Sequence, residues 1–186
     1  MGRLIYLITA IMFLMLSLTG NPYCYAAGSA REVDWDYMTS RGNERNLDTV
    51  SLHILEKISE TNNRSVYRGI TVSRAWGNIF FEQQTLDSPA VGIGPVYMIR
   101  NQKHLSEKVT AAFDISGGFI VYDRSFPAGG RWYNFMWRAG PQFIYKISEK
   151  SSVNAGYKLM HVSNGLRSHN PGYDAYGVTF GYVTNF

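Results

Sequence analysis

Cysteine is nearly missing from this chain. One residue among 186, Cys24, excludes an internal disulfide and any cysteine-based zinc site. Charge is scarce too: 17% of residues are charged while 15% are aromatic, the reverse of what keeps a chain disordered. The formal net charge of +4 comes from 18 Lys and Arg that are scattered singly, so no basic cluster offers a nucleic acid a surface. Beyond residue 27 no apolar stretch is long enough for a membrane-spanning helix, and helical periodicity is poor. No internal repeat or linker marks a second domain, and the length allows one modest domain.

What is present begins with an address. Arg3 precedes an apolar run from Leu4 to Leu18, broken by Gly20, Asn21 and Pro22 and followed by the small residues Ala26 and Ala27. That order reads as a secretory signal peptide over residues 1–26, and the run of about 15 apolar residues falls short of the roughly 20 that a spanning helix needs. Cys24 follows Tyr23 rather than the small residue of a lipoprotein box and leaves with the signal. Residues 27–186 remain as the mature domain.

That domain alternates. From Arg131 to Lys146, Tyr133, Phe135, Trp137, Phe143 and Tyr145 share one parity, while Asn134, Arg138, Gly140 and Gln142 share the other. Val109–Asp123, Ala90–Asn101 and the final Tyr176–Phe186 repeat the split. In a soluble sandwich the face opposite the apolar one would carry abundant Lys and Glu. Here it is rich in glycine and sparsely charged, as the crowded interior of a small barrel requires. The pattern predicts an all-β fold: an eight-stranded antiparallel transmembrane β-barrel in the bacterial outer membrane. Strands are expected near 33–39, 48–58, 65–76, 89–101, 108–123, 131–147, 152–164 and 173–186. The terminal Phe186 resembles the assembly signal of such barrels.

One polar group interrupts the apolar wall. Lys158 belongs in the lumen, so Tyr157 and Leu159 face lipid, and the same parity carries His161 and Ser163 outward. A short return through residues 165–172 brings the outward face of the last strand back to Asp174. A serine needs a base to become a nucleophile, histidine is that base near neutral pH, and a carboxylate fixes its tautomer. Ser163, His161 and Asp174 can fill these roles, with Asn164, Asn170 and the Gly165 amide as candidates for an oxyanion hole. A lipid-facing nucleophile also suggests an acyl ester that arrives laterally within the leaflet. The bland reading makes His161 and Ser163 hydrated rim residues. His53, His104 and His169 have no comparable company; His169 is close enough to be a substitute base. Trp76, Trp132 and Trp137 suit an interfacial aromatic belt.

The run His161-Val162-Ser163-Asn164-Gly165, followed by Asn170-Pro171-Gly172-Tyr173-Asp174, resembles the active-site segment of PagL-type lipid A deacylases. Tyr67-Arg68-Gly69 and Asp114-Ile115-Ser116-Gly117-Gly118 are similar, less specifically, to that family's middle strands. The resemblance implies an eight-stranded outer-membrane esterase that removes the 3-O-linked acyl chain of lipid A in lipopolysaccharide. Ser163 would be the nucleophile, His161 the base and Asn170 the better side-chain donor to the oxyanion. Where this chain has Asp174, the family pattern has Glu. The side chain is one methylene shorter, so the backbone must come closer to the imidazole. Ser-His-acid chemistry implies neither cofactor nor metal. The competing readings are a non-catalytic small barrel, for adhesion or envelope stability, and a narrow channel, which the filled interior of eight strands disfavours.

Overall fold

The computed structural model describes residues 30–42, 44–165 and 170–185. The expected signal segment with Cys24, together with His169 and Phe186, lies outside them.

Eight long strands follow one another: β1 (Ala30–Arg41), β2 (Arg45–Thr61), β3 (Arg64–Phe81), β5 (Ala90–His104), β6 (Val109–Phe126), β7 (Arg131–Ser148), β8 (Ser151–Ser163) and β9 (Tyr173–Asn185). Each pairs antiparallel with the next in this series, and β1 also pairs with β9, so the sheet closes on itself. Closure leaves none of the eight with an unpaired edge, the condition for standing in hydrocarbon. Each overlaps its expected range. The short β4 (Gln84–Asp87), which the alternation did not predict, is a flap on the end of β3. Its two-residue turn holds Glu82 and Gln83 at φ 49° and 64°.

The outer face is apolar. Val33, Trp35, Ile93, Ile115, Phe143 and Phe180 point outward and remain 41–61% exposed, an apolar surface that only a bilayer covers. The inner face divides along the barrel axis. Towards the end where β1 begins and β9 finishes, charged groups fill the lumen. Arg100 makes paired bonds to Glu32 (2.7 and 2.8 Å) and to Asp114 (2.8 and 3.0 Å), and Lys158 reaches Asp114 at 3.0 Å. Asn154 donates to Glu32 and to Asp34. Buried ions are tolerable only when paired and hydrogen-bonded in this way.

His53 belongs to the same filling. The expectation that it lacks company is corrected: its Nε2 lies 3.0 Å from Asp36 and its Nδ1 2.7 Å from Thr71, with Arg138 against Asp36 as well. The sequence hid this because Asp36, His53 and Thr71 meet only through the register of β1, β2 and β3. His104 is exposed at the end of β5, beside Thr110.

The other half of the lumen is apolar. Met38, Leu47, Ile79, Ile120, Phe126, Met160 and Tyr173 pack into a plug at the far end. Connections differ in the same sense. At the end holding the first and last strand termini they span residues 62–63, 105–108 and 149–150, and the longest ones, 82–89 and 164–172, lie at the plugged end.

Candidate active site

The site sits on the outer wall at the plugged end, where β7, β8 and β9 run side by side. Strand parity sends Lys158, Met160 and Val162 of β8 inward, where all three are buried, and turns Leu159, His161 and Ser163 outward. The register then fixes the neighbours. Trp137 stands opposite His161 across the β7–β8 pair, and Asp174 stands opposite it across the β8–β9 pair. Phe135 is the partner of Ser163. A Trp-His-Asp row therefore crosses three strands, with serine two residues along on the middle one.

Within that row, His161 Nδ1 lies 2.7 Å from Asp174 Oδ1. Aspartate reaches the ring despite its length because it is the direct register partner, and facing Cβ atoms in such a pair are about 4.5–5.5 Å apart. A carboxylate at Nδ1 leaves Nε2 as the nitrogen that can take a proton. On the opposite side the indole of Trp137 stacks on the imidazole, with centroids 5.8 Å apart and planes 27° from parallel. The side chain of Asp174 is 84% exposed and that of His161 33%, so this pair faces outward rather than into a cleft.

The return loop supplies the remaining groups. The backbone amide of Asn164 donates to Asn170 Oδ1 at 3.0 Å. Because an N–H can only donate, that bond fixes which end of the Asn170 amide is oxygen and turns its Nδ2 donors the other way. Asn164 itself is buried and continues the inward parity of Val162. Gly165 has φ +71°, a conformation a side chain resists, and a Cβ there would stand 3.0 Å from the Phe135 ring. Gly172 lies so close that a Cβ there would stand 2.8 Å from the Val162 carbonyl and 3.2 Å from Ser163 Cβ. Its own carbonyl accepts a bond of 3.2 Å from Arg45 Nε, on β2.

Every candidate named from the sequence thus falls at one end of β8, in the loop after it or at the start of β9. His161 and Asp174 are bonded, Ser163 is outward beside them, Asn164 and Gly165 follow directly after β8, and Asn170 is tied to the Asn164 amide. Three contributors were not anticipated. Trp137 is expected in the belt, and counting back through the turn at 149–150 would pair it with Val162; the bulge between Lys146 and Ser148 shifts it by one residue to stand opposite His161. The same bulge sets Phe135 opposite Ser163. Arg45 carries no local signal, because it reaches the site from β2. Among the described residues, no group of three or more His, Cys, Asp or Glu could hold a metal ion.

Residues 48–183 match the family model of the lipid A 3-O-deacylases, PagL. This chain belongs to that family. The crystal structure of the outer membrane enzyme PagL covers 82% of this chain and 97% of its own, at 13% identity and a TM-score of 0.54, which establishes a shared fold. The β domain of the Bordetella autotransporter BrkA aligns over 87% of this chain and 100% of its own, at 12% identity and a TM-score of 0.34. A comparison with curated protein sequences found no match. As a PagL-family member, the chain is an outer-membrane β-barrel and an ester hydrolase whose substrate is lipid A.

Proposed function

We propose that this PagL-family barrel cleaves its ester with Ser163 as nucleophile, His161 as base and Asp174 as the group that orients the imidazole. The observation that carries this reading is the 2.7 Å contact between His161 Nδ1 and Asp174 on an outer wall that is mostly apolar. Polar groups placed against lipid are costly without a use.

The steps follow from the donors and acceptors available. Ser163 Oγ attacks the ester carbonyl as its proton passes to His161 Nε2, forming a C–O bond and a tetrahedral oxyanion. Asn170 Nδ2 and the Gly165 amide are the donors for that oxyanion, since fixed N–H groups stabilise charge as it develops. The imidazolium returns the proton to the departing sugar oxygen as the ester C–O bond breaks. Water, deprotonated by His161, then attacks the acyl-serine; the acyl C–Oγ bond breaks, Ser163 Oγ takes the proton back from His161 and the fatty acid leaves. The acyl chain reaches Ser163 sideways along the wall of Leu159, Tyr157 and Tyr176, which is half exposed. The plugged end, with the longest connections, faces outward, where the outer leaflet presents lipopolysaccharide. The same reading takes residues 1–26 as the secretory signal and gives the protein no nucleic-acid partner.

The test is mass spectrometry of lipid A incubated with detergent-refolded wild type, Ser163→Ala and His161→Asn. The reading expects loss of one hydroxyacyl chain with wild type and none with either variant. Equal release by Ser163→Ala would remove Ser163 from the role of nucleophile.

A further inference from the structure

Trp137 lies on the outer wall between Phe135 and Ala139, a position that an interfacial belt would also fill. Its ring, however, is engaged. It stacks on His161 from the β7 side at 5.8 Å and 27°, while Asp174 holds the same imidazole from the β9 side at 2.7 Å. The ring is gripped from both neighbouring strands by two different kinds of contact.

The two contacts restrain different motions. One hydrogen bond fixes where Nδ1 sits but lets the ring rock about that bond, because the energy falls off slowly with angle near the optimum. A flat surface laid nearly parallel to the imidazole opposes the rocking. The indole face also attracts a cation whose centre lies within about 6 Å, so it favours the ring more when it is charged than when it is neutral. An interaction that strengthens as the proton moves is one that lowers the barrier instead of merely tightening the resting state.

We infer that Trp137 is a positioning residue of the deacylation: it holds the plane of His161 so that Nε2 meets Ser163, and it stabilises the ring while that ring carries the proton. This rests on the assignment of His161 as the base. Trp137 acts through His161 and need not touch the scissile ester.

The experiment uses the full barrel refolded in detergent, with lipid A as substrate and heat-dependent gel mobility as the check on folding. Trp137→Leu, a lipid-compatible change at a half-exposed site, should lower kcat about ten-fold with KM little altered. Trp137→Phe, which keeps an aromatic face, should recover most of the loss. Trp76→Phe, elsewhere on the aromatic outer face, should behave as wild type. In NMR of histidine-labelled protein, the His161 ring signals should shift in Trp137→Leu, as the ring current of the indole is removed, and stay in place in Trp76→Phe. A wild-type kcat in Trp137→Leu, a change confined to KM, or unmoved His161 signals would each overturn the inference. Should Trp137→Leu not fold, Trp137→Ile takes its place with the same expectations. If His161→Asn retains activity, the base assignment falls and this inference with it. If His161→Asn is inactive while Trp137→Leu is unimpaired, only the role of Trp137 falls.

Discussion

Arg45, the first residue of β2, donates from Nε to the carbonyl of Gly172, 127 residues further along the chain, at 3.2 Å. The same guanidinium binds the carbonyl of Phe80 at 2.9 Å and that of Glu44 at 3.0 Å. It therefore straps the active-site loop to the strand ends on the far side of β1. Gly172 backs onto Ser163, and Asn170 is two residues away, so the strap sets the height of the loop over the nucleophile. Replacing Arg45 with Ala should lower kcat by about five-fold, corresponding to about 1 kcal/mol of lost positioning. Barrel stability should barely change. Initial rates of acyl release, beside urea midpoints, separate the two effects.

Asp174 is the direct register partner of His161, so its shorter side chain is already in place. Asp174→Ala should reduce activity about 10- to 100-fold, less than loss of the nucleophile, because the exposed carboxylate orients the ring rather than reacting. Asp174→Glu should remain within about five-fold of wild type, since a longer carboxylate can fold back onto Nδ1. A Glu variant as poor as the Ala variant would show that the register, and not the charge, sets the requirement.

Two glycines separate chemistry from folding. At Gly172 a Cβ would press on the Val162 carbonyl and on Ser163, so Gly172→Ala should cost activity at least ten-fold while the barrel still forms. At Gly177 a Cβ would fall 1.8 Å from the Tyr37 carbonyl, on the β1–β9 seam that closes the sheet. Gly177→Ala should prevent closure or destabilise the barrel by more than about 3 kcal/mol. Heat-dependent gel mobility distinguishes an open chain from a folded but idle one.

The lumen offers a stability test away from the site. Arg100→Met leaves Glu32 and Asp114 buried without their main counter-ion, which should cost about 3–5 kcal/mol. Deacylation at low temperature should stay near wild type, because Arg100 is inside and the site is outside. Urea unfolding in lipid vesicles, read with activity at the same temperature, checks both halves of this prediction.

Much of this architecture was legible as a period of two. The alternation of β5 to β9 set the faces correctly, and once Lys158 was placed inward the outward position of His161 and Ser163 followed by parity alone. Tyr133 shows where parity stops. It has the outward parity, yet Phe119 and Trp132 cover it and leave it 8% exposed. β4 escaped notice because its turn carries Glu82 and Gln83, which lack the Asn-Gly or Asp-Gly signature of left-handed hairpin turns. β3 accordingly extends to Phe81, beyond the expected residue 76. Contacts that depend on register across several strands, such as His53 with Asp36 or Arg45 with Gly172, leave no trace in local spacing.

The exposure of Asp174 and His161 has a consequence for how the enzyme meets its surroundings. A cleft enzyme brings its own solvent-excluding walls, whereas here only one side of the reaction space is protein. Acyl chains and sugar head groups of the leaflet furnish the opposite side, and with it the polarity in which the imidazole–carboxylate pair must work. Substrate is thus both reactant and building material. The same residues in a detergent micelle and in a lipopolysaccharide monolayer constitute two different reaction chambers.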